Sequence, residues 1–169
     1  MERIITQEEL TEILEKHKKW LNKEPGGERA ELRGCDLSGS DLCDCDLSGS
    51  DLSYSNLSRS DLRYSNLRGC NLRHSDLSDC DLRYSDLGGS DLRHSDLSGC
   101  NFDFACLPLW CGSLSAHFDD RQIIQIIYHA VKAGLASPNV SDDVKAELRK
   151  VIPLANRFHR AEECGVIVE

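Results

Sequence analysis

The residues able to ligate a metal gather toward the carboxyl-terminal third: Cys106, Cys111, His117, His129, His159 and Cys164. Zinc needs four such side chains converging, commonly delivered by closely spaced pairs. Cys106 and Cys111 stand five apart, as do His159 and Cys164, so the spacing supplies no tight pair. Buried thiols and helix-face imidazoles are the expectation, with no metal site. Between positions 30 and 109 Asp and Ser alternate so regularly that acid–serine pairs are unavoidable and uninformative, and no His joins them as a nucleophile's base would. His74 and His94 fall in register with Tyr54 on a regular surface, where neither burial nor focused charge tunes a catalytic pKa. Gly88-Gly89 lies inside the regular pattern and lacks the context of a phosphate loop. The sequence nominates no catalytic, cofactor-binding or metal-binding residue and reads as non-enzymatic.

What positions all these groups is one five-residue phrase, written sixteen times without a gap from Ala30 to Leu109. It is a small leading residue, then Asp or Asn, then a central Leu, then two variable residues, as in Cys35-Asp36-Leu37-Ser38-Gly39. A period of five matches neither the 3.6 of a helix nor the 2 of a long strand. Within one phrase the leading residue and the Leu are two apart, so both face one side of an extended segment and the Asp or Asn faces the other. The two variable residues then turn a corner, and four corners close a coil of twenty residues. Columns at that spacing agree: Ser38, Ser58, Ser78 and Ser98; Gly49, Gly69 and Gly89; Tyr64, Tyr84 and Phe104; His74 and His94. The six Gly at the final position suit type II turns, whose second central residue needs positive φ. Where Tyr, His, Arg or Asp stands there, a different or strained turn is expected.

The phrase small-(Asp/Asn)-Leu-x-x resembles that of the pentapeptide-repeat family over 80 of 169 residues. The resemblance implies an all-β solenoid, a right-handed quadrilateral β-helix. Four coils would be about 19 Å long, with a core of Leu32 to Leu107 broken only by Phe102. The leading residue departs from the family's usual Ala: it is Ser or Cys everywhere except Ala30 and Ala105. Each inward Ser needs a backbone partner or costs about 1–3 kcal/mol. So regular a departure suggests an engineered variant, with natural drift as the alternative.

The domain reading is residues 1–29 as an amino-terminal capping helix and linker, 30–109 as the β-helix and 110–169 as a carboxyl-terminal helical cap. Thr6 and Glu9 form a capping box for a helix over 6–23. Leu10, Ile13, Leu14, His17 and Leu21 share one of its faces, able to cover the open end of the solenoid. Trp110 and Leu114 are expected over the last coil. A second helix spans 119–134 and ends at Gly134. Its wide apolar face of Ile123, Ile124, Ile126, Ile127, Ala130 and Val131 predicts burial on two sides and a homodimer. Ser141 caps a third helix, Pro153 interrupts it, and Leu154 to Cys164 continues as a fourth closed by Gly165.

Net charge is −9, of which the repeats hold −7, fourteen acids against seven arginines. That disfavours direct nucleic-acid binding. The side carrying Arg33, Arg73 and Arg93 is balanced, whereas those carrying Asp41, Asp61 and Asp81 with Asp44 and Asp103, and Asp36, Asp76, Asp79 and Asp96, are each about −3. No apolar run is long enough for a membrane span and Met1-Glu2-Arg3-Ile4-Ile5 lacks a signal-peptide core, so a cytoplasmic protein is the expectation. Of nine cysteines, five lead repeats. Cys80 and Cys100 sit one coil apart but with parallel side chains, which disfavours a disulfide, and outward Cys43 is expected to be the most reactive thiol. The function expected is a non-catalytic structural or protein-interaction module with an unidentified protein partner. The alternative, implied by the resemblance, is a DNA-mimic inhibitor of a type II topoisomerase such as gyrase.

Overall fold

The computed structural model describes residues 3–108, 116–158, 161–164 and 166–168, and the chain forms two compact units, Met1–His117 and Phe118–Glu169. The first is a β-solenoid. From Glu31↔Asp51 to Asp86↔Cys106 every isolated rung is parallel and joins residues twenty apart. From Asp51 to Asn101 each Asp or Asn N–H donates to the leading carbonyl of the preceding coil, as Asp76 does to Ser55 (2.9 Å). Each Leu N–H donates forward, as Leu77 does to Asp96 (2.7 Å). A last rung comes from His117, which bonds Ser95 and Leu97. Trp110 and Leu114 lie outside the described residues.

A turn closes every fifth residue. The leading N–H donates to the carbonyl of the Leu three positions earlier, as Ser75 does to Leu72 (3.2 Å). The residue before it has positive φ in every repeat from Gly34 to Phe104, the signature of a type II turn. The non-glycine corners are therefore not a different turn. Tyr54, Arg59, Tyr64, His74, Tyr84 and His94 adopt the same left-handed conformation, at φ 57–62°. That conformation strains an L-residue by roughly 1–2 kcal/mol.

The central Leu from Leu32 to Leu97 are at most 2 % exposed. Seven inward Ser hydroxyls find the same partner. Ser55, Ser60, Ser65, Ser75, Ser85, Ser90 and Ser95 each donate Oγ–H to the Leu carbonyl of their own turn, at 2.5–2.7 Å. That carbonyl thus accepts from both the N–H and the hydroxyl of one residue, which gives Ser a local role at this position without recourse to design. The larger Cys sulfur reaches the turn of the preceding coil instead: Cys70 to Leu47, Cys80 to Leu57 and Cys100 to Leu77, at 2.8–3.0 Å. All three thiols are buried and free. Burial pushes Cys70 up to about 12. Its contact with Cys80, then burial, holds Cys100 well above the ordinary thiol range.

The second unit is helical. α2 (Asp120–Ala136) is capped by Asp119, whose side chain accepts from Gln122 N–H while Gln122 reaches back. The helix runs through Gly134 instead of ending there. A Cβ at Gly134 would come within 2.5 Å of Leu148 Cδ1, so this glycine leaves room for α3 (Asp142–Lys150), which Ser141 caps. The chain breaks at Val151, before Pro153, as pre-proline sterics favour. α4 (Ile152–Ala155) and α5 (Ala161–Cys164) then form two short helices where the sequence suggested one. Tyr128, Val131, Ile152, Ala155, Phe158, Ala161 and Ile167 make the core. The Asn156 side chain bonds both the N–H and the carbonyl of Ile167, packing the tail (2.9 Å each).

At the amino-terminal end of the solenoid lies α1 (Gln7–Leu21), with the Thr6–Glu9 capping box in place. Before it, β1 (Arg3–Ile4) adds a parallel strand to β2 (Cys35–Asp36), a pairing the sequence did not signal. The helix buries Leu10 and His17. His17 Nδ1 accepts from Ala30 N–H (3.1 Å), which leaves Nε2 to carry the proton toward Ser50 Oγ (3.3 Å). Burial, against the upward pull of Asp46, lowers the His17 pKa. The unfolded chain therefore takes up the proton first. Stability contributed by neutral His17 is complete above about pH 6.5 and is lost as pH falls from there toward the folded value. Urea unfolding between pH 7.5 and 5.5 should show a falling midpoint, and His17→Gln should flatten that fall. An identical pH slope in the variant would show that His17 plays no part in it.

Candidate interaction surfaces

The outward groups of the solenoid are engaged by their own chain. At every repeat from Asp36 to Asn101 the Asp or Asn Oδ1 accepts the backbone N–H two residues on, at 2.8–3.4 Å. This Asx arrangement caps the one N–H of each phrase that no rung reaches. Its sequence signal was the strict Asp/Asn alternation: those two residues share little except this acceptor.

Arginines pair with acids on three of the four sides. Arg63 donates Nε to Asp61 Oδ1 (2.8 Å) and approaches Asp81 (3.8 Å). Arg83 and Arg93 fork onto Asp81 and Asp91 in the same way (2.8 and 2.9 Å), and Arg68 reaches Asp86 (3.1 Å). The hydrogen bond from Arg63 holds Asp61 below the usual carboxylate range, and Arg93 does so for Asp91. The fourth side, Asp36, Asn56, Asp76 and Asp96 with its Ser column, has no arginine between its corners. There the Ser98 backbone N–H keeps Asp96 low against the effect of burial. The Ser column is not a free hydroxyl ladder, since Ser58 Oγ is committed to Asn56 (2.7 Å).

Two opposite corners carry aromatic ladders. Tyr64, Tyr84 and Phe104 stack at 4.9 Å between centroids. Tyr54, His74 and His94 stack at 4.8 Å, and the Arg33 guanidinium covers Tyr54 above the side-chain-free Gly34. The rings stand about half exposed, Tyr84 at 48 %.

Cys106 sits exposed on the solenoid, His117 forms a rung, and His129 packs edge-on against Tyr128 and Phe158. Cys111, His159 and the Cys164 side chain lie outside the described residues. Among the described residues no group of three or more His, Cys, Asp or Glu is placed to hold a metal ion. Cys43 is half-buried and donates to Asp44 (3.6 Å). Burial and then Asp44 raise its pKa; burial and then Asp86 raise that of Cys106, the more exposed of the two.

The family model for pentapeptide repeats, built of eight copies, matches residues 28–63, 44–79 and 75–108. Residues 28–108 make this chain a pentapeptide-repeat protein. Among solved structures it is similar to the pentapeptide repeat protein alr5209 from Nostoc PCC 7120, at 26 % identity and TM-score 0.52, covering 70 % of this chain and 99 % of that one. It is also similar to Rfr23 from the cyanobacterium Cyanothece 51142, at 31 % identity and TM-score 0.47 over 54 % of this chain and 58 % of that one. A weaker likeness is to QnrB1, a plasmid-mediated fluoroquinolone resistance protein, at 26 % identity and TM-score 0.31 over 55 % and 48 %. No curated protein matches the chain. No helix among the described residues is long and apolar enough to cross a membrane.

In this pentapeptide-repeat solenoid the aromatic corners set stacking, about 0.5–1.5 kcal/mol per pair, against left-handed strain of similar size. Tyr84 stacks on both sides. Tyr84→Ala removes both contacts and keeps the strain, whereas Tyr84→Gly removes both and relieves it. Denaturant unfolding should find Ala the more destabilising by about 1 kcal/mol, the reverse of their order in ordinary strands. Equal or inverted losses would mean that the corner carries no strain.

Proposed function

We propose that the chain is a non-catalytic structural and protein-interaction module, built as a right-handed quadrilateral β-helix of four coils. The carrying observation is that its acids cap backbone N–H groups and its arginines fork onto those acids. Such groups build a rigid, polar rod and are not poised for proton transfer. A reducing, cytoplasmic setting is supported by the thiols of Cys35, Cys43, Cys45, Cys70, Cys80 and Cys106, none of them in a disulfide.

A second reading, inhibition of a type II topoisomerase by imitation of DNA, draws on the side of Asp36, Asp76 and Asp96, whose one arginine is Arg59. Asp36, Asp76, Asp79 and Asp96, set against Arg59, leave it fewer than one net charge per coil, about 4.8 Å, while duplex DNA carries a charge every ~1.7 Å. Neutral Asn56 dilutes it further. Gyrase supercoiling should therefore be unchanged at micromolar protein. Inhibition that weakens with salt would replace the module reading with the mimic.

The partner of α2 is proposed to be a second copy. Gln122, Gln125, Tyr128 and Val131 form its buried line, which leaves Ile123 and Ala130 exposed and Ile126 half-buried one and two turns apart. Sedimentation should give a dimer that Ile123→Glu converts to monomer. A monomer at high concentration in the parent chain removes this interface.

A further inference from the structure

The first coil has no coil before it, so its outward-facing rung groups need another partner. One side has found one: β1 covers Cys35–Asp36, leaving Cys35 1 % exposed and Asp36 half-buried. Two sides further round the same coil, Cys45 is half-buried and Asp46 exposed. Cys45 C=O and Leu47 N–H bond forward to Asn66. The N–H and C=O of Asp46 between them point the other way, as those of Asn66 do one coil on, and no hydrogen bond reaches them. This unpaired edge opens into a cleft of about 430 Å³ between the coil and α1. Half-buried Leu14 and Leu21 form its apolar wall, and Glu15, Asp44 and Asp46 outnumber the single cation, Lys18.

We propose that the edge at Cys45–Asp46 is a strand-addition site for an extended basic segment of a partner protein. This rests on reading the chain as an interaction module and names where the partner docks. Backbone groups of the incoming segment pair with Asp46, as Arg3–Ile4 already pairs with Cys35–Asp36. Alternate side chains lie toward Leu14 and Leu21 or toward Asp44 and Asp46. The acidic rim selects Lys or Arg at the outward positions, and the apolar wall selects an aliphatic residue between them. Parallel addition is the geometry of every rung below it.

The test uses the full chain, isotope-labelled, with acetyl-Lys-Val-Lys-Val-Lys-amide as probe. Saturating peptide should slow hydrogen exchange at the Asp46 amide by about tenfold or more. A peptide N-methylated at alternate residues, which keeps charge and side chains, should bind at least about tenfold more weakly. The pair Asp44→Asn with Asp46→Asn, which keeps the Ser48 cap, should also weaken binding. No slowing at millimolar peptide, or equal binding of the N-methylated form, overturns strand addition. Asp46 protection that appears with chain concentration alone overturns the partner and assigns the edge to a second copy. None of these results bears on gyrase supercoiling, so failure here is separable from failure of the module reading.

Discussion

One backbone N–H governs this solenoid, that of the residue after each Leu. Four of the five N–H groups in a phrase have natural acceptors. In the phrase Ser75–Asp79, Ser75 donates to Leu72, Asp76 to the coil behind, and Leu77 and Asp79 to the coil ahead. Ser78, at the bend, can reach neither neighbour, and Asp76 Oδ1 supplies its acceptor at 2.8 Å. A buried or half-buried N–H left open costs about 1–3 kcal/mol, and the cost would recur with every phrase. The Asp/Asn position is thus as much a condition of the fold as the Leu. Where Cys106 replaces it the regular pattern stops within two residues.

The turn imposes a second condition. A left-handed residue is needed before every leading position, and glycine fills only some of them. The others compensate by contact along the column: ring on ring at two corners, and Arg59 near Asp79 (3.9 Å) at a third. That ion pair is exposed and contributes little. The aromatic corners therefore offset their strain better than the charged one. The inward Ser adds to the same turn from inside by bonding the carbonyl that closes it, so turn, cap and core meet within three consecutive residues.

Periodicity made the solenoid legible because one error-free phrase repeats until its columns can be counted. It exposed the twenty-residue coil, the Leu shaft and both aromatic ladders. Other features lay beyond it for definite reasons. The Asx caps were signalled by the restriction to Asp or Asn but overlooked, because an outward Asp resembles any solvated acid. The pairing of Arg3–Ile4 was hidden because two residues carry no periodic signal. Gly134 read as a helix stop because its local propensity says so, whereas the contact that keeps it in mid-helix comes from Leu148 of another element.

A surface that repeats also limits what it can recognise. Along any side of the solenoid, a partner shifted by one coil meets nearly the same groups: an Asx cap, a hydroxyl or an arginine fork, and another cap. Contacts made there are degenerate in register, so their energies favour sliding as readily as docking. Registration requires something that occurs once. In the first unit the unique features cluster at the amino-terminal end: α1 with its buried His17, β1 on one side of the first coil, and the exposed Asp46 rung on another. On the proposed reading as an interaction module, the repeat is a rigid spacer with a charged skin, and discrimination between partners would fall to an end where the pattern is broken.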